Sequence, residues 1–266
     1  MLKKLLLLTT CSLLIVACAQ SPTGRRQVML FNTAELDKMG AQTFETMKAE
    51  TPISKDRRTN EYVQCVAGAL LKVTPQEFMG NTWEIVVFDS DQVNAFALPG
   101  GKIGVYTGLL KVAENQNQLA AVVGHEIAHV MAGHSNERLS TNQFIQTAMT
   151  LGDAAMKAYN VQYQQQLMTA FGLGAQVGVA LPFSRAHESE ADIIGLDLMA
   201  KAGFEPRQAV NLWQNMAALG GGGTPQILST HPLPENRITA LRDNMPQAMK
   251  TYNERKATSA LPNCKA

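Results

Sequence analysis

Apolar residues recur at helical spacing through most of the chain and read as strands in only one short region. Thr33 to about Glu50 predicts a helix with Thr33 as its N-cap, and Thr51-Pro52 ends it. Asn60 to Val73 predicts a second, ended by Pro75. Trp83 to Phe88 is rich in β-branched and aromatic residues and predicts a strand. Asn94 to Leu98 and Ile103 to Tyr106 flank Pro99-Gly100-Gly101 and predict a hairpin. Asn115 to His134 is the clearest helix: Leu119, Val122, Val123, Ile127, Val130 and Met131 repeat at its period, and Asn115 suits the N-cap with Gln118 three residues on. Thr141 to Phe171, His187 to Ala202, Pro206 to Leu219 and Pro234 to about Met245 complete a mainly helical set, with Gly203 and Gly220 to Gly223 as breaks. Leu167 to Phe183 is apolar with interspersed glycines, yet carries Gln176 and ends at Pro182, so it reads as a buried helix or a flap rather than a membrane hairpin. The pattern as a whole predicts one α+β domain, mostly helical with a small sheet.

The first residues form a separate object. Lys3 and Lys4 precede an apolar run, Leu5 to Ala17, too short for the about 20 residues that span a bilayer. That is the pattern of an export signal. Leu14-Ile15-Val16-Ala17-Cys18 resembles the bacterial lipobox, in which the cysteine becomes lipidated and N-terminal. The expected organisation is a signal over 1–17, a tether over 18–32 and a folded domain over 33–266. A lipid on Cys18 implies a membrane partner; Ala19 and Gln20 follow it rather than the Asp that retains bacterial lipoproteins at the inner membrane, so the resemblance to that class implies the periplasmic face of the outer membrane. Cys65 and Cys264 then remain as candidates for one disulfide in an oxidising compartment. Lys plus Arg number 23 against 22 Asp plus Glu, a balance that gives no footprint for nucleic acid.

The chemistry sits in the clearest helix. His125-Glu126-Ile127-Ala128-His129 places two imidazoles four residues apart, on one face one turn apart, where both can reach a single zinc. Glu126 lies beside a ligand, positioned to take a proton from the water that zinc acidifies and to pass it to a leaving amine. A catalytic zinc needs a third protein ligand. The metzincin pattern would put Gly at 132 and His at 135, but Ala132 and Ser135 stand there; His134 is about 180° round the helix from His125 while the helix continues. Glu188 and Asp192, four apart, share a helix face, so Glu188 can ligate while Asp192 accepts the N–H of a ligating imidazole; His187 lies on another azimuth, and Glu190 points elsewhere.

His125-Glu126-x-x-His129 followed by Glu188-x-x-x-Asp192 resembles the gluzincin zinc metallopeptidases that include HtpX, the CAAX prenyl protease and the bacterial lipoproteins LoiP and BepA. The likeness extends over roughly Asn94 to Arg237. It implies a zincin-like fold with one Zn2+ per chain held by His125, His129 and Glu188, and Asp192 behind them. Asn94-Ala95-Phe96-Ala97 resembles the edge strand that pairs with substrate backbone, so Asn94 and Ala95 are expected to bind substrate. Ser229-Thr230-His231-Pro232 with Arg237 resembles the C-terminal His-Pro…Arg motif; it implies that His231 stabilises the charge built on a peptide carbonyl, and that Arg237 serves substrate or pairs with Asp192. The lipobox fits the lipoprotein branch. The implied activity is endoproteolysis of unfolded or misfolded envelope proteins, with the outer-membrane assembly machinery as a possible partner. The rival expectation is a periplasmic chaperone or assembly factor whose zinc site is mainly closed, with His187, His231 or Leu167 to Phe183 as the plug.

Overall fold

A computed structural model describes residues 18–78, 83–175, 181–218, 226–231 and 235–265, with backbone alone at 18, 181–183 and 235–236. The expected signal over 1–17, Gln176, Gly220 to Gly223 and Pro232 lie outside the described residues. In chain order the elements are β1 (Cys18–Gln20), β2 (Arg26–Val28), α1 (Thr33–Glu50), α2 (Arg57–Leu71), β3 (Glu84–Phe88), β4 (Ala95–Leu98), β5 (Lys102–Tyr106), α3 (Gln116–Met131), α4 (His134–Ala158), α5 (Gln164–Ala175), α6 (Leu181–Ala202), α7 (Gln208–Ala218), α8 (Gln226–Thr230) and α9 (Glu235–Thr258). This is the mainly helical α+β set the pattern predicts. The chain divides into two compact units, one ending at Asn32 and resuming over Gly133–His187, the other formed by Thr33–Ala132 and Glu188–Ala266.

The second unit carries the sheet and the large core. Strand order is β3-β5-β4, with β3 parallel and β4 antiparallel to β5. Gly100 and Gly101 turn the β4–β5 hairpin with φ of 80° and 71°, a region other residues rarely enter. The outer edge of β3 takes a bridge from Ile53; the outer edge of β4 takes no strand among the described residues. α3 packs on β4, α2 and α7, and its Leu119, Val123 and Ile127 are fully buried. Local capping explains where helices start. Asp56 accepts from Thr59 N at 2.8 Å, so α2 begins at Arg57 rather than at Asn60. Asn115 accepts from the N–H groups of Asn117 and Gln118, as its type predicts. α9 runs through Pro246 because Ala248 and Tyr252 beyond it are buried in the core. Cys65 on α2 and Cys264 form a disulfide; nearby, Cys264 N–H donates to Gln116 Oε1 and Gln116 Nε2 donates to Pro262 O, tying the tail to the start of α3.

The first unit is built on different contacts. The stretch expected as a tether pairs β1 with β2, Cys18 opposite Val28. Arg25 donates both terminal nitrogens to the Glu137 carboxylate at 2.6 and 2.7 Å, Gln27 adds 2.9 Å, and His187 Nε2 lies 2.9 Å from the same group. Burial raises the Glu137 pKa, but His187, Arg25 and Gln27 outweigh it and hold it at about 2. The single helix expected over Thr141 to Phe171 is instead α4 and α5, because Asn160 and Tyr163 take left-handed φ of 49° and 59° and turn the chain.

Candidate metal centre

Three helices of the second unit and one loop bring the site together. α3 presents His125, Glu126 and His129, α6 presents Glu188 and Asp192, α9 presents Arg237, and His231 follows α8 with its N–H on Ile227 O at 2.7 Å. α3 and α6 approach at backbone contact. A Cβ on Gly195 would lie 2.9 Å from His125 N and 3.0 Å from His125 Cα, and one on Gly124 would lie 3.2 Å from Gly195 O. Gly195 is seven residues past Glu188 and three past Asp192, so all three share one helix face. The glycines let that face sit directly against the helix that carries the histidines.

The donor atoms converge. His125 Nε2 and His129 Nε2 are 3.0 Å apart. Glu188 Oε2 is 3.3 Å from His125 Nε2, and Glu188 Oε1 is 3.5 Å from His129 Nε2. His231 Nδ1 lies 3.0 Å from both Glu188 oxygens and 3.4 Å from His125 Nε2. Four ligands at about 2.0–2.1 Å from a tetrahedral zinc would stand about 3.3–3.4 Å from one another, so the set fits that ion. Glu126 Oε1 is buried without a hydrogen-bond partner, 3.6 Å from His231 Nε2. A native carboxylate oxygen in that state suits a site that admits water or substrate.

Behind the donors the charges are paired. His125 Nδ1 lies 3.0 Å from Asp192 Oδ1, which leaves Nε2 facing the other donors. Arg237 Nε and Nη2 donate to the two Asp192 oxygens at 2.7 Å each, and Nη1 is 3.2 Å from Glu188 Oε2. Arg237, put forward for substrate or for Asp192, is wholly buried and lies on Asp192. Burial disfavours charge on His125, yet Asp192 and Glu188 raise its pKa to about 9. Burial would raise the Glu188 and Asp192 carboxyls, but His125 and His231 pull the first well below the usual range, and Arg237 and His125 pull the second below it.

Two of the ligands weighed from sequence lie elsewhere. The helix does not continue to His134: Gly133, at φ of 65°, breaks it, and the buried His134 ring stacks on His187 at 4.2 Å. His187 faces Glu137. Ala95 opens the edge strand β4; Asn94 stands just before it, its carbonyl accepting from Tyr106 N–H at 3.1 Å and its Oδ1 buried without a hydrogen-bond partner. Sequence reasoning missed Gly195, although its spacing from Glu188 and Asp192 was visible. It also missed Trp213, whose ring sits edge-on to His125 at 5.8 Å and under the Arg237 guanidinium at 4.4 Å; a lone Trp carries no motif that could have flagged it.

The stretch that carries these donors is similar to known peptidases. The model of "Peptidase family M48" matches residues 57–245. Similar proteins include the mitochondrial metalloendopeptidase OMA1 of Schizosaccharomyces pombe, 33% identical over 82% of this chain and 64% of its own length. That of Arabidopsis thaliana is 36% identical over 66% of this chain and 34% of its own. The beta-barrel assembly-enhancing protease of Yersinia pestis is 28% identical over 79% and 43%. The chain thus spans about one-third to two-thirds of the length of these relatives. The family match takes in the sheet, the histidine helix and the helix of Glu188 and Asp192, and on that ground the chain belongs to peptidase family M48.

Proposed function

We propose that the chain is a zinc-dependent metalloendopeptidase, with one zinc per chain, acting on extended segments of unfolded or misfolded envelope proteins. The observation that carries this reading is the set of His125, His129 and Glu188 donors at tetrahedral-edge separations beside a buried Glu126 oxygen without a partner. Zinc bound there supplies Lewis-acid polarisation and a more acidic water. Glu126 takes a proton from the attacking water and returns it to the departing amine. Asp192 fixes the His125 tautomer, and Arg237 compensates the two buried carboxylates. The edge of β4 away from β5 offers main chain from Ala95 onward to an extended backbone, with Asn94 beside it, and such pairing binds main chain without demanding a given side chain. The lipobox at Cys18 supports anchorage at the outer membrane; one relative's name, a beta-barrel assembly-enhancing protease, supports work near its assembly machinery.

The test is digestion of casein by the zinc-loaded chain, with bound metal measured in parallel. Glu126→Gln should keep zinc and lose turnover, Glu188→Ala should lose both, and Glu190→Ala should keep zinc. Zinc bound in full by a wild-type chain that leaves casein intact would sink the peptidase reading.

One observation favours a second reading, a chaperone or assembly factor with a mainly closed site: His231 Nδ1 stands among the donors as a fourth. A fourth protein ligand leaves no position for water. His231→Ala separates the two. It should raise casein digestion if His231 caps the metal, and lower it if His231 stabilises the carbonyl charge.

A further inference from the structure

We propose that the α4–α5 hairpin seats on a lipid bilayer surface through one apolar face made by Phe144, Leu151, Leu167 and Phe171. These side chains are 72%, 66%, 45% and 51% exposed. A face of large apolar residues left in water marks a binding surface rather than a packing accident.

The four residues fall on one side. The hairpin closes through Ile145, Met149, Gly152 and Met156 of α4 and through Gln164, Met168, Gly172 and Ala175 of α5, all half-buried. Gly152 meets Met168 and Gly172 meets Met149, an antiparallel register. At about 100° per residue, Phe144 and Leu151 stand about 120° round α4 from that seam, and Leu167 and Phe171 about 75° round α5 in the same rotational sense. Equal senses on antiparallel helices point to the same side.

Charge selects the occupant. Between Leu139 and Ser184 the chain has one acid and one base, Asp153 and Lys157, and they pair with each other at 2.6 Å. A protein partner steered by complementary charge finds none on this face. Its flanks carry amides and hydroxyls instead, Gln143, Thr147, Gln166 and Thr169. At the turn, Tyr159 and Tyr163 are 83% and 72% exposed, and a ring with an apolar body and a polar tip suits the headgroup level. No helix among the described residues is long and apolar enough to cross a membrane, so the hairpin lies along the surface. The same compact unit contains β1, which begins at Cys18. A lipid there would bring this unit to the bilayer, but the face does not require it.

The test places a reporter on the face of the full-length chain, reconstituted in vesicles of three parts phosphatidylethanolamine to one part phosphatidylglycerol. Phe171→Trp and Leu151→Trp are compared with Ile53→Trp, an exposed position of the second unit. Lipids brominated on their acyl chains should quench by about twofold the emission that each hairpin reporter adds to that of the native Trp83 and Trp213, the expectation for rings at the acyl boundary, and leave the emission added by Ile53→Trp near its unbrominated level. The contrast should persist in Cys18→Ser. Equal quenching at all three positions overturns the proposal, as does a contrast lost in Cys18→Ser. It is overturned equally if the hairpin reporters are not quenched and the chain forms a concentration-dependent dimer that Phe171→Ser dissolves.

Discussion

α3 and the α4–α5 hairpin are written in similar language: helical, rich in Ala and Gln, with apolar residues spread along them and few charges. Their fates differ. In α3 everything from Gln118 to Ala128 is buried, whereas α5 has no buried residue. The difference comes from what each helix is offered. α3 has a sheet beneath it, α2 and α7 beside it, and a glycine at 124 that lets α6 reach its backbone. α4 and α5 offer each other a Gly–Met seam. Apolar composition announces a helix and not its cover. A metal site needs the first situation, because donors are held in place only when their own rotamers are packed; a surface that meets lipid needs the second.

The largest expected effect comes from loosening the covalent tie on the buried region. Cys264→Ser removes the link to Cys65 and frees a tail that now holds Gln116 at the start of α3. The chain-entropy account of a loop this long allows up to about 5 kcal/mol. Urea unfolding should show a loss of several kcal/mol. A loss under about 1 kcal/mol would mean that the core alone fixes α3.

Next is the contact between the site helices. Gly195→Ala forces a methyl to within 3.0 Å of the His125 backbone, where neither helix has a flexible side chain to yield. Overpacking of this kind costs about 1–3 kcal/mol. It should also weaken zinc, since α6 carries Glu188 away from His125. Gly174→Ala, in α5 with nothing within 4 Å of its Cβ, is the matched control: it should leave zinc binding unchanged and, if anything, raise stability by up to about 1 kcal/mol. If both variants bind zinc like the parent, the close approach is not what sets the donor distances.

The fold was legible where local chemistry decides it, and so was half of the site. His125, Glu126 and His129 lie within five residues, and Glu188 and Asp192 within one turn, so each pair could be placed on a face. The hairpin glycines and the Asn115 cap were legible for the same reason. What failed to show depends on residues far apart. Arg25 reaches Glu137 across 112 positions, and nothing beside either residue pairs them; His231, 43 positions from Glu188, and Arg237, 45 from Asp192, were named only through the family resemblance. The break between α4 and α5 was invisible because Asn160 and Tyr163, not Gly or Pro, turn the chain. Trp213 matters only through the ring and guanidinium it touches.

The buried region should also answer to pH, in a direction opposite to that of a carboxylate. In the zinc-free chain the His125 pKa stands at about 9 against an ordinary 6.5. A raised histidine contributes stability that is complete below about 6.5 and lost as pH climbs through about 9. The melting temperature of the zinc-free chain should therefore fall between those values. The proton and the metal compete for the same nitrogen, so zinc affinity should rise over the same window. A zinc-free melting temperature that climbs from pH 6.5 to 9 would show that Asp192 and Glu188 do not hold that proton.

The smallest expected effect is the sharpest contrast. Leu151→Ser on the exposed face removes a side chain that is 66% in water, whereas Leu119→Ala in α3 removes one that is fully buried. Truncating a buried leucine costs about 2–5 kcal/mol, because the transfer free energy is lost and a cavity remains. A surface change away from caps and networks stays within about 0.5 kcal/mol. Leu151→Ser should therefore unfold in urea at the parent's midpoint, and with lipid absent it has no reason to do otherwise. The same substitution should still weaken binding to vesicles, because the side chain's apolar area matters only where a bilayer can take it out of water. A clear drop in midpoint without lipid would mean that the hairpin face is covered within the folded chain, and the contrast between the two helical regions would be lost.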